Sequence, residues 1–191
     1  MNTHRITKNQ IDNAGYYIGT TDVTNYDGHL EIEMNLGRVR FRGSVRVSGG
    51  LDIKAGSGIK AGEGIKAGEG IKAGLGIEAG LGIEAGLWIE AGWGIKAGWG
   101  IKAGEGIEAG EEIKAGEGIE AGEGIEAGLG IICKLELSFG NRLFAGINLY
   151  IKTPTPDQLK VECGKLVAGE ICYGNLVEVG LPEPSTTDGG Q

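Results

Sequence analysis

Proline, cysteine, histidine and aromatic side chains are all scarce in this chain, with 4 prolines, 3 cysteines, 2 histidines and 6% aromatics in 191 residues. With so little proline and no Gly-X-Y triplet period, a collagen-like triple helix is excluded. Cys133, Cys163 and Cys172 are odd in number and form no CxxC pair, and only His4 and His29 could add ligands to a metal site. Neither a disulfide framework nor a zinc centre is indicated. The opening MNTHRITKNQIDNAGYY has no apolar core of signal-peptide type, and no run of about eighteen apolar residues could cross a membrane as a helix. The expectation is reduced cysteines acting as small buried apolar residues, in the cytoplasm of a bacterial host cell. No cofactor, no metal and no membrane partner are expected.

What the chain has in quantity is glycine, 39 residues or about one in five. Charged residues at 23% and apolar ones at 40% do not match a disordered linker. From Ile53 to Gly130 the sequence reads as thirteen hexapeptides of the form I-[KE]-A-G-x-G. Alanine follows each of those isoleucines by two places, and glycine follows every alanine. The second glycine is less strict, being replaced by Trp88 and by Glu112.

A helix cannot carry this pattern, because glycine costs about 1 kcal/mol relative to alanine in a helix and a period of six holds no helical face. A short strand can. In Ile-Lys-Ala, alternation sends Ile and Ala to one side and the charge to the other. Continuing the strand would drive x inward too, and x is Glu at 63, 69, 105, 111, 117 and 123. Buried unpaired carboxylates are prohibitive. The strand must therefore break at the glycines, whose expected role is the positive φ of a sharp corner. The predicted fold is all-β, a β-solenoid. A triangular coil of 18 residues and a flat one of 12 both fit the spacing. The charged column gives opposite neighbours in 6 of 10 pairs at 18 and 6 of 11 at 12, which does not decide. Equivalent corners favour the triangle, with three hexapeptides per coil.

The expected organisation is an N-terminal arm or cap at 1–29, the solenoid at 30–131, a strand-rich region at 132–181 that continues or caps it, and a disordered tail at 182–191. Val47, six residues before Ile53, extends the phase upstream. Over residues 39–131 the chain resembles the broad group of bacterial and phage hexapeptide-repeat β-solenoid proteins. Hexapeptide acyltransferases, left-handed β-helices, are the best-known members. Their motif sets a small residue two positions before the large aliphatic one. Here Ala follows Ile instead, so the resemblance does not carry the transferase activity with it.

Chemistry is mostly absent. An acyl transfer would need a histidine general base, and His4 and His29 lie outside the repeats with no partner motif, as incidental surface residues. The Gly-x-Gly triplets lack a following helix and a GK[ST], so the repeat accounts for them. The repeats contain no Asp for a calcium turn. The protein is read as non-enzymatic.

The surface is uneven along the chain. Residues 38–72 carry Arg38, Arg40, Arg42, Arg46, Lys54, Lys60, Lys66 and Lys72 against Asp52, Glu63 and Glu69. Residues 105–126 carry Glu105, Glu108, Glu111, Glu112, Glu117, Glu120, Glu123 and Glu126 against Lys114. Between them Leu75, Leu81, Leu87, Trp88, Trp93 and Trp99 form an apolar belt, either an interface or a surface covered by the chain's own termini. The glutamates are either solvated charge or a mimic of nucleic-acid phosphates. Pentapeptide-repeat proteins are acidic solenoids similar in principle to the second case. The sharper expectation is a phage or mobile-element inhibitor, of anti-CRISPR or other anti-defence type, that occludes a basic nucleic-acid-binding protein. Exchanging Glu105, Glu111, Glu117 and Glu123 for Gln should weaken such binding. Direct nucleic-acid binding is expected only through Arg38, Arg40, Arg42 and Arg46. The alternative is a self-assembling homo-oligomer, a bactofilin-like filament or a fibre segment.

Overall fold

A computed structural model describes residues 1–148 and 150–183. Each hexapeptide forms a three-residue strand, from Ile65–Ala67 to Ile125–Ala127, with its first and third residues inward and its middle residue outward. Every inward Ile and Ala from Ile59 to Ala127 is 3% exposed or less. Each strand pairs in parallel with the one 18 residues on, Ile65 on Ile83 and Ile83 on Ile101, so like stacks on like. The result is a parallel, three-faced β-solenoid of about eight turns.

The first face stacks Thr3–Ile6, His29–Ile32, Leu51–Ile53, Ile71–Ala73, Ile89–Ala91, Ile107–Ala109 and Ile125–Ala127. The second stacks Gly37–Phe41, Ser57–Ala61, Ile77–Ala79, Ile95–Ala97, Ile113–Ala115, Ile131–Cys133, Lys160–Cys163 and Asn175–Glu178. The third stacks Val45–Val47, Ile65–Ala67, Ile83–Ala85, Ile101–Ala103 and Ile119–Ala121. Glu136–Ala145 bends round a corner, adding Leu137 to the third face and Leu143 to the first, and Lys165–Tyr173 stacks on it in turn.

Two expectations are corrected. Ile53 does not open the regular repeat. Leu51 pairs with Ile71, and Ile53 pairs with Ala73 in the small-residue column. The segment IKAGSG matches the motif but belongs to an edge two residues too long, stacked on another wide turn at Glu33–Leu36. Gly56, at φ +72°, and Asn35, at φ +60°, turn the chain there. Elsewhere in the repeat the glycines do not supply positive φ. They permit close approach: a Cβ on Gly80, Gly98 or Gly116 would fall 2.1, 2.0 or 1.8 Å from the carbonyl oxygen of the glycine one coil earlier. The second glycine is looser on one corner, 3.4 Å from the next coil at Gly64, Gly82 and Gly100, and tighter on another, 3.0 Å at Gly76 and Gly94.

The two ends differ. At the start, residues 3–28 wind as an irregular coil against the first regular one. Tyr16 bridges to Arg40 and Tyr26 to Val47, and Ile6, Ile11 and Val23 are buried. At the far end Lys165–Tyr173 and Asn175–Glu178 form the last rung, largely exposed. Of the expected disordered tail, 184–191 lie outside the described residues. Among the described residues no helix is long and apolar enough to cross a membrane.

Candidate protein-binding surface

Stacking at 18 residues sorts the outward charges into columns, and the three faces acquire different character. The third face alternates Lys66, Glu84, Lys102 and Glu120. Lys66 reaches Glu84 at 2.8 Å and Lys102 reaches Glu120 at 2.9 Å. The second face is mainly basic, with Arg40, Lys60, Lys96 and Lys114 around Glu78. Glu78 bonds Lys60 at 2.6 Å, which pulls its carboxyl below the ordinary range.

The first face becomes acidic as it ascends. Lys72 bonds Glu90 at 2.6 Å, and above them Glu108 and Glu126 stack with no cation between. Partial burial and the carboxylates of Glu126 and Glu90 push the Glu108 carboxyl upward. Along the adjoining corner the backbone places Glu105 directly below Glu123. Glu105, Glu108, Glu123 and Glu126 form no ion pair among the described residues. A trough of about 780 Å³ runs up this face, with Trp88 below, Glu90, Glu108 and Glu126 along its floor, and Arg142 and Phe144 above.

The eight glutamates of the 105–126 block are thus not one surface. Glu105, Glu108, Glu123 and Glu126 share the first face and its edge. Glu120 is paired with Lys102 on the third face. Glu117 lies on the corner between second and third faces, stacked on Trp99, and Glu111 lies on the corner between first and second, stacked on Trp93 beside Glu112. The quartet Glu105, Glu111, Glu117 and Glu123 is spread over three corners, so it does not lie on one face of the rod. Glu90, which the block omitted, belongs with the acidic face. A count at 18-residue spacing for runs of one sign would have found it.

The apolar belt encircles the rod. Leu75 and Trp93 share one corner, Leu81 and Trp99 the next, and Leu87 the third with Trp88 beside it. Trp88, Trp93 and Trp99 are 40%, 50% and 54% exposed, and none of the described terminal segments covers them. Trp88 lies back against Gly70, where a Cβ would meet the indole at 2.5 Å.

The basic block does not converge either. Arg38 reaches Glu78 at 3.2 Å, Arg40 and Arg42 lie over the Tyr16 ring, and Arg46 is on the third face. His4 and His29 are not incidental. The His4 ring packs between Tyr17 and Tyr26, and His29 Nδ1 accepts the Gly50 N–H at 2.9 Å. Cys133 and Cys163 are buried, with burial pushing the Cys133 thiol up to about 12, whereas Cys172 is exposed. Among the described residues, no group of three or more His, Cys, Asp or Glu is placed to hold a metal ion.

These features define a class, a parallel three-faced β-solenoid with one acidic face. No family model, curated protein or solved structure matches the chain.

The acidic stack has a direct consequence for stability. Stacked like charges on adjacent strands oppose each other by about 0.5 kcal/mol. The folded value of Glu108 is raised, so its penalty is complete above that value and fades as pH falls towards the ordinary 4.5. Glu108→Gln should therefore raise the thermal midpoint at neutral pH and leave it unchanged below pH ~4, where carboxyls are protonated anyway. An equal gain at both pH values would mean that charge is not the cause.

Proposed function

We propose that the chain is a non-enzymatic protein-binding module whose acidic face stands in for a nucleic-acid backbone and occludes a basic, nucleic-acid-binding protein. Such a module suits a phage or mobile-element inhibitor, of the anti-CRISPR or wider anti-defence kind. The observation that carries this reading is the stack of carboxylates without ion pairs among the described residues, Glu108 below Glu126 in one column and Glu105 below Glu123 in the next, above the Lys72–Glu90 pair. Elsewhere the same outward position is used to neutralise charge, as in the Lys60–Glu78, Lys66–Glu84 and Lys102–Glu120 pairs. Carboxylates in each column repeat every ~4.8 Å on a stiff support. A duplex strand presents a phosphate about every 3.4 Å of its axis. Trp88 at the foot of the trough offers a flat ring to an arginine or lysine of the partner.

The test is a pull-down from bacterial lysate with the intact chain as bait, repeated at rising salt and with Glu105, Glu108, Glu123 and Glu126 all changed to Gln. A nucleic-acid-binding protein should be captured, lost as salt rises, and lost with the quadruple variant. Capture that ignores both salt and the four substitutions would sink the mimicry. The filament reading is disfavoured by the buried core of the first coil, because an open polymer needs two exposed ends.

A further inference from the structure

The core of the solenoid is closed at one end and open at the other. Leu137, Leu143 and Val161 are fully buried, and the residues stacked on them in the last rung are Leu166, Ile171 and Leu176. Leu166 and Ile171 are only partly buried, and Leu176 is 42% exposed. Around them Val167, Tyr173, Val177, Val179 and Leu181 are 40–59% exposed, the densest group of exposed large apolar side chains outside the tryptophan belt. Among the described residues, the outer backbone edges of Lys165–Tyr173 and Asn175–Glu178 have no further strand to pair with. One of the rung's N–H groups, that of Leu166, is taken by the Glu178 carboxylate at 2.7 Å. Solenoids need a cap where the stack stops, and an uncapped strand edge is a template for another chain.

We propose that a second copy of this chain supplies the cap, the two last rungs meeting tail to tail in a closed two-fold dimer. Charge is permissive at this end. The chain carries −8 overall, but the terminal rung mixes signs, with Lys165, Glu170 and Glu178 alongside a Lys160–Glu162 pair. Residues 165–181, the last rung and the segment that follows it, place about 17 residues a side at the contact, the small end for a specific interface. A two-fold axis across the end runs facing strands antiparallel, so the free edges can pair with each other. Because the first coil is sealed, association stops at two, and the dimer places its two acidic faces on either side of the central junction, since Glu126 lies beneath Phe144 and Phe144 beneath Tyr173 of the last rung.

Sedimentation of the full chain across a wide concentration range tests this. Wild type should run at twice the chain mass, and Leu176→Asp and Val177→Asp should each return it to one. Val177 faces outward and is 40% exposed, so its substitution reads the interface even where Leu176→Asp frays the last rung. Circular dichroism melts should show the solenoid intact in the Val177 variant. A wild type that stays monomeric at every concentration would mean that the chain covers its own end, and would overturn the proposal. So would growth beyond two copies, or a dimer indifferent to both substitutions, which would place the contact elsewhere on the rod.

Discussion

Gly116→Ala should lower stability by about 3 kcal/mol, whereas Gly100→Ala should change it by less than about 1 kcal/mol. Both are corner glycines on the same edge of the rod, and both replace hydrogen with methyl. The difference lies in what the methyl would meet. At Gly116 the new Cβ would sit 1.8 Å from the Gly98 carbonyl oxygen and 2.8 Å from its carbon. Neither is the far end of a flexible side chain. Gly98 already presses on Gly80, and Gly80 on Gly62, so a shift at one corner is passed down the column. At Gly100 the Cβ would lie 3.4 Å from the Gly118 oxygen, ordinary van der Waals contact. Equilibrium urea unfolding of the two variants checks the contrast. Equal losses would mean that backbone freedom, not approach distance, keeps glycine at the corners.

The same contrast shows what could be read from one strand of text. The solenoid was legible because period six, alternation and the placement of glutamate at x leave few alternatives. The reason for the strict glycine was not, because a corner seen in one coil suggests φ, while the contact that excludes a side chain comes from the coil beneath. Ile53 misled in a similar way. IKAGSG satisfies the motif letter by letter, and only the pairing of Ile53 with Ala73 shows it to be out of phase. Order along the chain gives a charge its height on the rod, but the fold sorts charges by column. Glu90, Glu108 and Glu126 are each 18 residues apart, so the acidic face is present in the numbering and emerges only once the coil length is fixed. The open core at the last rung was harder still, because it depends on how irregular strands after residue 132 stack.

The belt and the acidic face are neighbours. Trp88 stands where the second corner glycine should be, on the corner that adjoins the first face, and its indole forms the lower end of the carboxylate trough. Trp93 lies on the other corner of the first face and Trp99 on the corner opposite it, so of the three only Trp88 lines the trough itself.

Ile101→Ala should cost about 3–4 kcal/mol, near the top of what a single core truncation removes. Ile101 is 1% exposed and is held between Ile83 in the coil before and Ile119 in the coil after. Both neighbours are tied by backbone ladders to coils of their own, so neither can slide in to fill the space, and the cavity persists. Lys102→Ala, one residue along and facing outward, should cost far less, because its pair with Glu120 is exposed to solvent. Leu176→Ala in the last rung should also cost less than Ile101→Ala, because Leu176 is already 42% exposed in the monomer. In a stack where each coil touches only its neighbours, a weak end frays while a weak middle breaks the rod into two shorter ones. Hydrogen exchange separates these cases. Ile101→Ala should raise amide exchange in coils on both sides of residue 101, and a rise confined to residues 160–181 would show that the rod unzips from its open end instead.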